Sequence, residues 1–399
     1  MLRTPNSSIK NIKVVCGCST IEQRALDSFS DNAIAFLDEV STVIRNNKNL
    51  NSYTDIKTFG FWCRKKNLIE IKLSLSEAYK SIGRGIVFHV APSNVALTFA
   101  YSLAFGLLAG NVNIVRVPSR KFEQVRVFLD IVDVILRKTK HRKIRSYISL
   151  VQYDRSDSIS KAISAISDAR LIWGGDATIQ NFKNYATKPR CLDLTFSDRY
   201  SIALMNPSEM KDLTDAQLSK IVQRFFNDAY LMDQRGCSSP QCVIWNSHHW
   251  DQEKTRFWAS LTKFVGENYD HDISTAAEKL FSITHSAINS RVDFKALRSD
   301  FRVVRLRANE IKNFDTVKCE FGTFLEASIA NLDELNEMIN DRFQTIAYFG
   351  VSRRDIENAI FKDDGMGVDR IVPIGRAFDM GHVWDGYNVI KMLSRTIGD

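Results

Sequence analysis

The sequence predicts an α/β protein made of two doubly wound open sheets. Between residues 85 and 185, short apolar runs of strand length alternate with longer stretches of helical period. Those runs lack the in–out alternation of a half-exposed strand, so both faces of the sheet are covered, as in parallel sheets. A second series of apolar strands starts near residue 200, and 399 residues with 44% hydrophobic content exceed what one core usually holds.

Thr20-Ile21-Glu22-Gln23 has capping-box spacing. Leu26, Phe29, Ala33, Phe36, Leu37, Val40 and Ile44 follow at helical spacing, which predicts a first helix. Residues 85–90 (GIVFHV) read as a buried strand, 94–108 as an apolar helix stopped at Gly110, and 112–117 as the next strand. That order implies a parallel unit with a right-handed crossover. A helix over 122–136, a strand over 147–151, helix at 162–166, a strand over 169–173 and a helix over 177–185 continue the pattern. Further on, strands are expected at 200–205, 242–245, 301–306, 324–329 and 345–349. A capping box at Thr214 and Gln217 opens a helix, and 332–339 is helical. The expected division is a nucleotide-binding domain within 1–200, a catalytic domain over 201–365 and a closing segment over 366–399.

Seven cysteines, an odd number without a regular frame, predict thiols in a reducing, cytoplasmic setting. The first fifteen residues lack the apolar core of a secretory signal. The longest apolar stretch, near 95–109, falls short of the roughly 20 residues of a membrane span. The net charge of +8 is dispersed. Its densest run, RKTKHRKIR at 137–145, reads as a solvated helix end, and aromatic–basic interleaving is missing, so nucleic acid is not expected as a partner. His248, His249 and His271 match no zinc spacing, and no metal is expected.

The chemistry concentrates in Gly236-Cys237-Ser238-Ser239-Pro240, a polar turn before a buried strand. A cysteine there can project into a cleft as a nucleophile, and Arg235 can lower its pKa; a structural thiol is the bland alternative. Pro92-Ser93-Asn94 follows a strand and opens a helix, at the carboxyl edge where open sheets place ligands. An asparagine amide there either caps the helix or donates to an oxyanion. Arg116, near the end of the next strand, either caps that strand at the surface or contacts phosphate, and Gly174-Gly175, between a strand and a helix, is either a plain turn or lets phosphate or ribose approach the backbone. No GxGxxG fingerprint is present.

Together these segments resemble the aldehyde dehydrogenase superfamily, and within it the acyl-CoA reductases typified by the fatty-acyl reductase of bacterial luminescence. The carrying stretches are RGIVFHVAPSNVALTFAYSLAFGLLAGNVNIVRVPSR, LIWGGDATIQ, DRYSIALMN, GCSSPQCVIW, FQTIAYFGV and RIVPIGRAFDMGHVWDGYNVI. The resemblance implies an active site between the two sheet domains. It makes Cys237 the acyl acceptor and Asn94 the oxyanion-hole amide. Pro92, Arg116, Ser119, Gly174, Gly175 and Phe321 become cofactor contacts, Phe321 near the nicotinamide ribose. His382 and Asp385, in GHVWDG, either border the site or close the fold. Aldehyde-oxidising relatives carry an LELGG-like motif whose glutamate activates water. Here the segment reads Leu192-Asp193-Leu194-Thr195-Phe196, which favours acyl reduction over hydrolysis. Arg116, Arg120 and Lys121 favour NADPH over NADH. The acyl donor is expected to be CoA or an acylated protein, with an acyl-activating synthetase as a candidate partner, and the superfamily habit implies a homo-oligomer. An aldehyde-oxidising dehydrogenase and an acyl-carrying subunit are the alternatives.

Overall fold

The computed structural model describes residues 1–4, 7–75, 80–92, 95–154, 156–270, 273–290, 292–362 and 366–398. They form two compact units, Met1–Ser197 with Met380–Asp399, and Asp198–Asp379. The segment 366–399 is thus divided: its first part completes the second unit and its last twenty residues return to the first.

The first unit holds a six-stranded sheet of β1 (Lys13–Gly17), β2 (Ile86–Val90), β3 (Val112–Arg116), β4 (Ile148–Gln152), β5 (Ala169–Trp173) and β6 (Leu192–Phe196), in the order β1-β4-β3-β2-β5-β6. All pairs are parallel except β1 with β4. Every residue of β2 and β5 is buried, as their unalternating apolar sequences predict. The helix Thr98–Leu108 is buried from Phe99 onward and shows no polar stripe, because protein surrounds it. Two glycines set its packing. A Cβ on Gly106 would lie 1.9 Å from Asn113 Oδ1, and Gly110, at φ +90°, stops the helix where a Cβ would lie 2.2 Å from Leu26 O.

The return of the C-terminus has specific anchors. Ser394–Thr396 pairs antiparallel with Ser81–Gly83. The Trp62 indole donates to Met380 O at 2.9 Å, and the Asn111 amide to Leu393 O at 2.8 Å. Val383–Trp384 and Tyr387–Asn388 form a hairpin whose turn residues Asp385 and Gly386 are left-handed at φ 47° and 73°. An Asp-Gly pair suits that two-residue turn.

The second unit carries β7 (Tyr200–Met205), β8 (Cys242–Trp245), β9 (Phe294–Asp300), β10 (Val303–Ala308), β11 (Thr323–Ser328), β12 (Phe343–Phe349) and β13 (Arg370–Pro373), in the order β9-β10-β11-β8-β7-β12-β13. Only β9 with β10 is antiparallel. Alternate residues of the same strands feed two cores. Ile202, Leu204, Ile244 and Leu325 lie in one, and Ala203, Met205, Val243, Trp245 and Phe324 in the other, with Phe225, Phe257 and Trp258.

Several expectations shift. The first helix begins at Asp31 after Ser30, and Thr20 instead bridges to Arg3. Backbone pairing of Ile21 with Arg3 and of Glu22 with Ser146 overrides the local capping signal. The basic run is not wholly solvated, since Lys138, Lys140 and the buried His141 converge on Glu39. Residues 332–339 form a shorter 3₁₀ turn, Leu332–Glu337. The helix opened by the Thr214–Gln217 capping box runs Asp215–Ala229.

His89, fully buried in β2, shows what the core demands of a polar group. Asn113 donates both its amide hydrogens to main-chain carbonyls, so its oxygen accepts from His89 Nε2 at 3.0 Å. His89 Nδ1 then accepts from the Ser102 hydroxyl at 2.8 Å, and that oxygen accepts the Trp173 indole N–H at 3.2 Å. The ring is neutral, and burial pushes its pKa down to about 4. The folded state therefore resists a proton that the unfolded chain accepts. This contribution to stability is whole above about pH 6.5 and is lost as pH falls through about 4, a difference of about 3 kcal/mol. Urea unfolding across that range, with imidazole NMR, measures it. A His89 titration near 6.5 in the folded protein would contradict it.

Candidate functional site

In the first unit, the chain leaves β2, β3 and β4 on one side and crosses to the other flank at β5. The carboxyl ends of β2 and β5 thus form the topological switch point. Val90 pairs with Arg116 on one side and with Ile172 on the other, so the ends of β2, β3 and β5 lie side by side. Pro92 follows β2 and is half-buried; Ser93 and Asn94 lie outside the described residues. Arg116 ends β3 with its guanidinium 4.5 Å from the Tyr153 ring centroid, and Ser119 is exposed beyond it. Gly174 follows β5, bonded through its N–H to Phe196 O at 3.1 Å, and Gly175 is the N-cap of the helix Asp176–Lys183. The first sheet therefore brings Pro92, Arg116, Gly174 and Gly175 to one edge. Sparse side chains and a helix N-terminus there suit phosphate and ribose.

Asp193 has a different environment. Both its oxygens are held by the 2%-exposed Arg170, at 2.7 Å from Nε and 2.5 Å from Nη2. The same guanidinium donates to Phe182 O at 2.8 Å. A carboxylate clamped on both oxygens ties an edge strand to a helix.

In the second unit, Cys237 lies at the amino ends of the strands. The helix Asp215–Ala229 ends, the chain passes through left-handed Asp233 and Gln234, and 236–239 close a turn with Ser239 N on Gly236 O at 3.0 Å. Gln234, 1% exposed, pins this passage. Its amide donates to Pro240 O and Thr323 O, and its oxygen accepts from the N–H groups of Gly322 and Thr323. Gly236 passes so close to Phe378 that a Cβ would lie 2.6 Å from the ring. Cys237 is half-buried, whereas Cys242, in β8, is fully buried, as its place in a strand run predicts. None of the seven cysteines is in a disulfide.

The side chains around the sulfur were not named from sequence. Gln344 Nε2 donates to Cys237 Sγ at 3.3 Å. The Gln344 oxygen accepts from Ser238 Oγ at 2.9 Å, and Ser238 Oγ lies 3.3 Å from Arg370 Nη1. Ser201 Oγ donates to Cys237 O at 2.7 Å. Arg235, which the sequence suggested could lower the thiol pKa, pairs with Glu278 and Glu320, its guanidinium 4.5 Å over the Phe321 ring. Phe321 itself is 2% exposed within its unit, left-handed at φ 55°, with its carbonyl accepting from the buried Lys279 at 2.7 Å. Burial pushes the Lys279 pKa down to about 7.

Among the described residues, no group of three His, Cys, Asp or Glu side chains has an arrangement that could hold a metal, and no helix is long and apolar enough to cross a membrane.

The acyl-CoA reductase (LuxC) family matches residues 68–396. No curated protein sequence matches the chain. Among solved structures, aldehyde dehydrogenase 21 from Physcomitrella patens, in complex with the reaction product succinate, has a TM-score of 0.65 at 14% identity, over 92% of this chain and 85% of that one. Lactaldehyde dehydrogenase from Escherichia coli gives 0.63 at 14% identity, over 92% and 85%. An aldehyde dehydrogenase from Bartonella henselae gives 0.64 at 10% identity, over 93% and 87%. Identities this low speak for the fold, and the fold is that of the aldehyde dehydrogenases. With more than three quarters of its length matched, the chain belongs to the acyl-CoA reductase (LuxC) family and is an acyl-CoA reductase.

Proposed function

We propose that the enzyme reduces an acyl thioester to an aldehyde through an acyl group carried on Cys237, with NADPH as the reductant. The observation that carries this is a half-buried thiol in a pinned turn, with an amide N–H aimed at its sulfur from 3.3 Å. A thiolate is the strongest nucleophile a side chain offers near neutral pH. Cys237 Sγ attacks the thioester carbonyl, the tetrahedral oxyanion is stabilised by the Asn94 amide, and the donor thiol leaves. The acyl group then sits on Cys237 as a thioester. Held by Pro92, Arg116, Ser119, Gly174 and Gly175, NADPH would supply the hydride that reduces this thioester, and Cys237 would then leave as the thiolate when the hemithioacetal collapses to the aldehyde.

The residues proposed to hold the cofactor fit it. Gly174 and Gly175 leave room beside a helix N-terminus, Pro92 and Ser119 border the same edge, and Arg116 offers a guanidinium steadied on a ring. Arg116, with exposed Arg120 and Lys121 close in sequence, favours the extra phosphate of NADPH over NADH. The acyl donor is CoA or an acylated protein, including one charged by a synthetase. The clamped Asp193 supports reduction over aldehyde oxidation, since release of a free acid needs a base to activate water.

Incubation with a series of acyl-CoAs, followed by intact mass and NADPH consumption, tests this directly. Cys237→Ala is expected to abolish both the acyl adduct and NADPH oxidation while remaining folded; turnover in that variant rules out the covalent route. Asn94→Ala is expected to lower kcat by about two to three orders of magnitude, and an unchanged rate removes it from the oxyanion hole. Asp193→Ala strands the buried Arg170 charge and is expected to cost about 3–5 kcal/mol of stability in urea unfolding. A stable variant with altered chemistry would instead mark Asp193 as a base.

A further inference from the structure

The sequence of contacts behind Cys237 has a direction. Arg370 Nη1 donates to Ser238 Oγ at 3.3 Å. The Ser238 hydroxyl donates to Gln344 Oε1 at 2.9 Å, and Thr345 Oγ1 donates to the same oxygen at 3.3 Å. With two hydroxyls on its oxygen, the Gln344 amide has one orientation, its N–H group facing Cys237 Sγ at 3.3 Å. Gln344 and Ser239 are 0% exposed and Ser238 is 1% exposed, so water screens the chain little.

Arg370 is itself held. It donates to Ala377 O at 2.7 Å and to Asp379 O at 2.9 Å. The loop bearing those carbonyls is fastened by Asp228, which accepts the N–H groups of Gly375 at 2.6 Å and Ala377 at 2.9 Å. The strand register adds an independent observation. Tyr200 pairs with Phe343, but Ser201 pairs with Thr345, so Gln344 is the extra residue of a bulge in β12. Bulges re-aim a side chain, and they concentrate beside active sites.

We infer that Gln344 stabilises the thiolate of Cys237, as the last donor of a relay that starts at the Arg370 guanidinium and passes through Ser238. Arg370 and Ser238 are positioning residues; Gln344 touches the reacting sulfur. A donor to the charged form favours that form, and a cation at the far end polarises each bond toward the sulfur. Two other charged groups lie on the elements next to Cys237, each with partners of its own. Arg235, in the preceding turn, is engaged by Glu278 and Glu320, and Asp228, on the helix before it, is engaged by the 375–377 loop. The catalytic meaning of the relay rests on the proposed role of Cys237, but its effect on the thiol does not.

The test is iodoacetamide alkylation of the full chain as a function of pH, read on the Cys237 peptide by mass spectrometry. Gln344→Leu is expected to raise the alkylation midpoint by about one unit, and Gln344→Glu, which puts a carboxylate against the sulfur, by more. The midpoint is the proper measure. A one-unit rise cuts the thiolate tenfold below it, but a more basic thiolate reacts about threefold faster, which leaves only about a threefold fall in rate. Ser238→Ala keeps Gln344 in place with Thr345 still on its oxygen, and breaks the link to Arg370. Its midpoint is expected to rise by about half a unit, and it carries the test if the Gln344 variants do not fold. Midpoints equal to wild type in folded Gln344→Leu, or in Ser238→Ala when that variant alone folds, overturn the relay. Shifted midpoints in an enzyme whose Cys237 never acquires an acyl group uphold the relay and defeat the proposed reaction instead.

Discussion

The second unit is organised around one buried amide that must find partners on both its ends. Gln344 is buried at the amino end of a parallel strand, and an amide left unsatisfied there would cost about 1–3 kcal/mol. The extra residue in β12 solves this by turning the amide out of the ladder toward the Cys237 turn. Ser201 closes the gap the bulge opens. Its hydroxyl oxygen accepts the Thr345 N–H at 3.2 Å while its hydrogen goes to Cys237 O at 2.7 Å. Three strands and the turn therefore fix one another, and the sulfur is placed by main-chain geometry rather than by a loop's chance conformation.

The two units place their candidate site residues at opposite ends of their strands. In the first, Pro92, Arg116 and Gly174 lie at carboxyl ends, where strand order reverses and helix N-termini open. In the second, Cys237 precedes β8 and Gln344 enters β12, both at amino ends. A rule based on helix N-termini has no purchase there. What replaces the helix N-terminus is a set of side-chain donors, Gln344, Ser201 and Ser238, each oriented by a neighbour.

The sequence made the strands legible because burial on both faces leaves unbroken apolar runs; 169–173 and 200–205 match the observed β5 and β7 end to end. Amphipathic Asp251–Asn268 and Ile273–Asn289 escaped notice because polar residues break up their apolar faces. Thr20 misled because a capping box is a local signal, and strand-like pairing with Arg3 outweighed it. The Cys237 turn was legible as a motif, but its partners were not. Gln344 lies 107 residues away, and its role depends on a register shift that no local pattern announces. Arg370 was visible only as part of a tail motif, and the partners of nearby Arg235, Glu278 and Glu320, lie far from it in sequence.

A reductase that carries its substrate on sulfur needs that sulfur twice, as a nucleophile toward the incoming thioester and as a leaving group from the hemithioacetal. These demands conflict if the thiol pKa is extreme, since a low value weakens attack and a high one slows departure. A neutral amide donor is a moderate device, weaker than a cation in direct contact, and in the inferred relay the Arg370 guanidinium reaches it through Ser238. A directly apposed arginine would push the thiolate toward an inert, over-stabilised anion. The indirect use of Arg370 thus suits both demands of the proposed reaction.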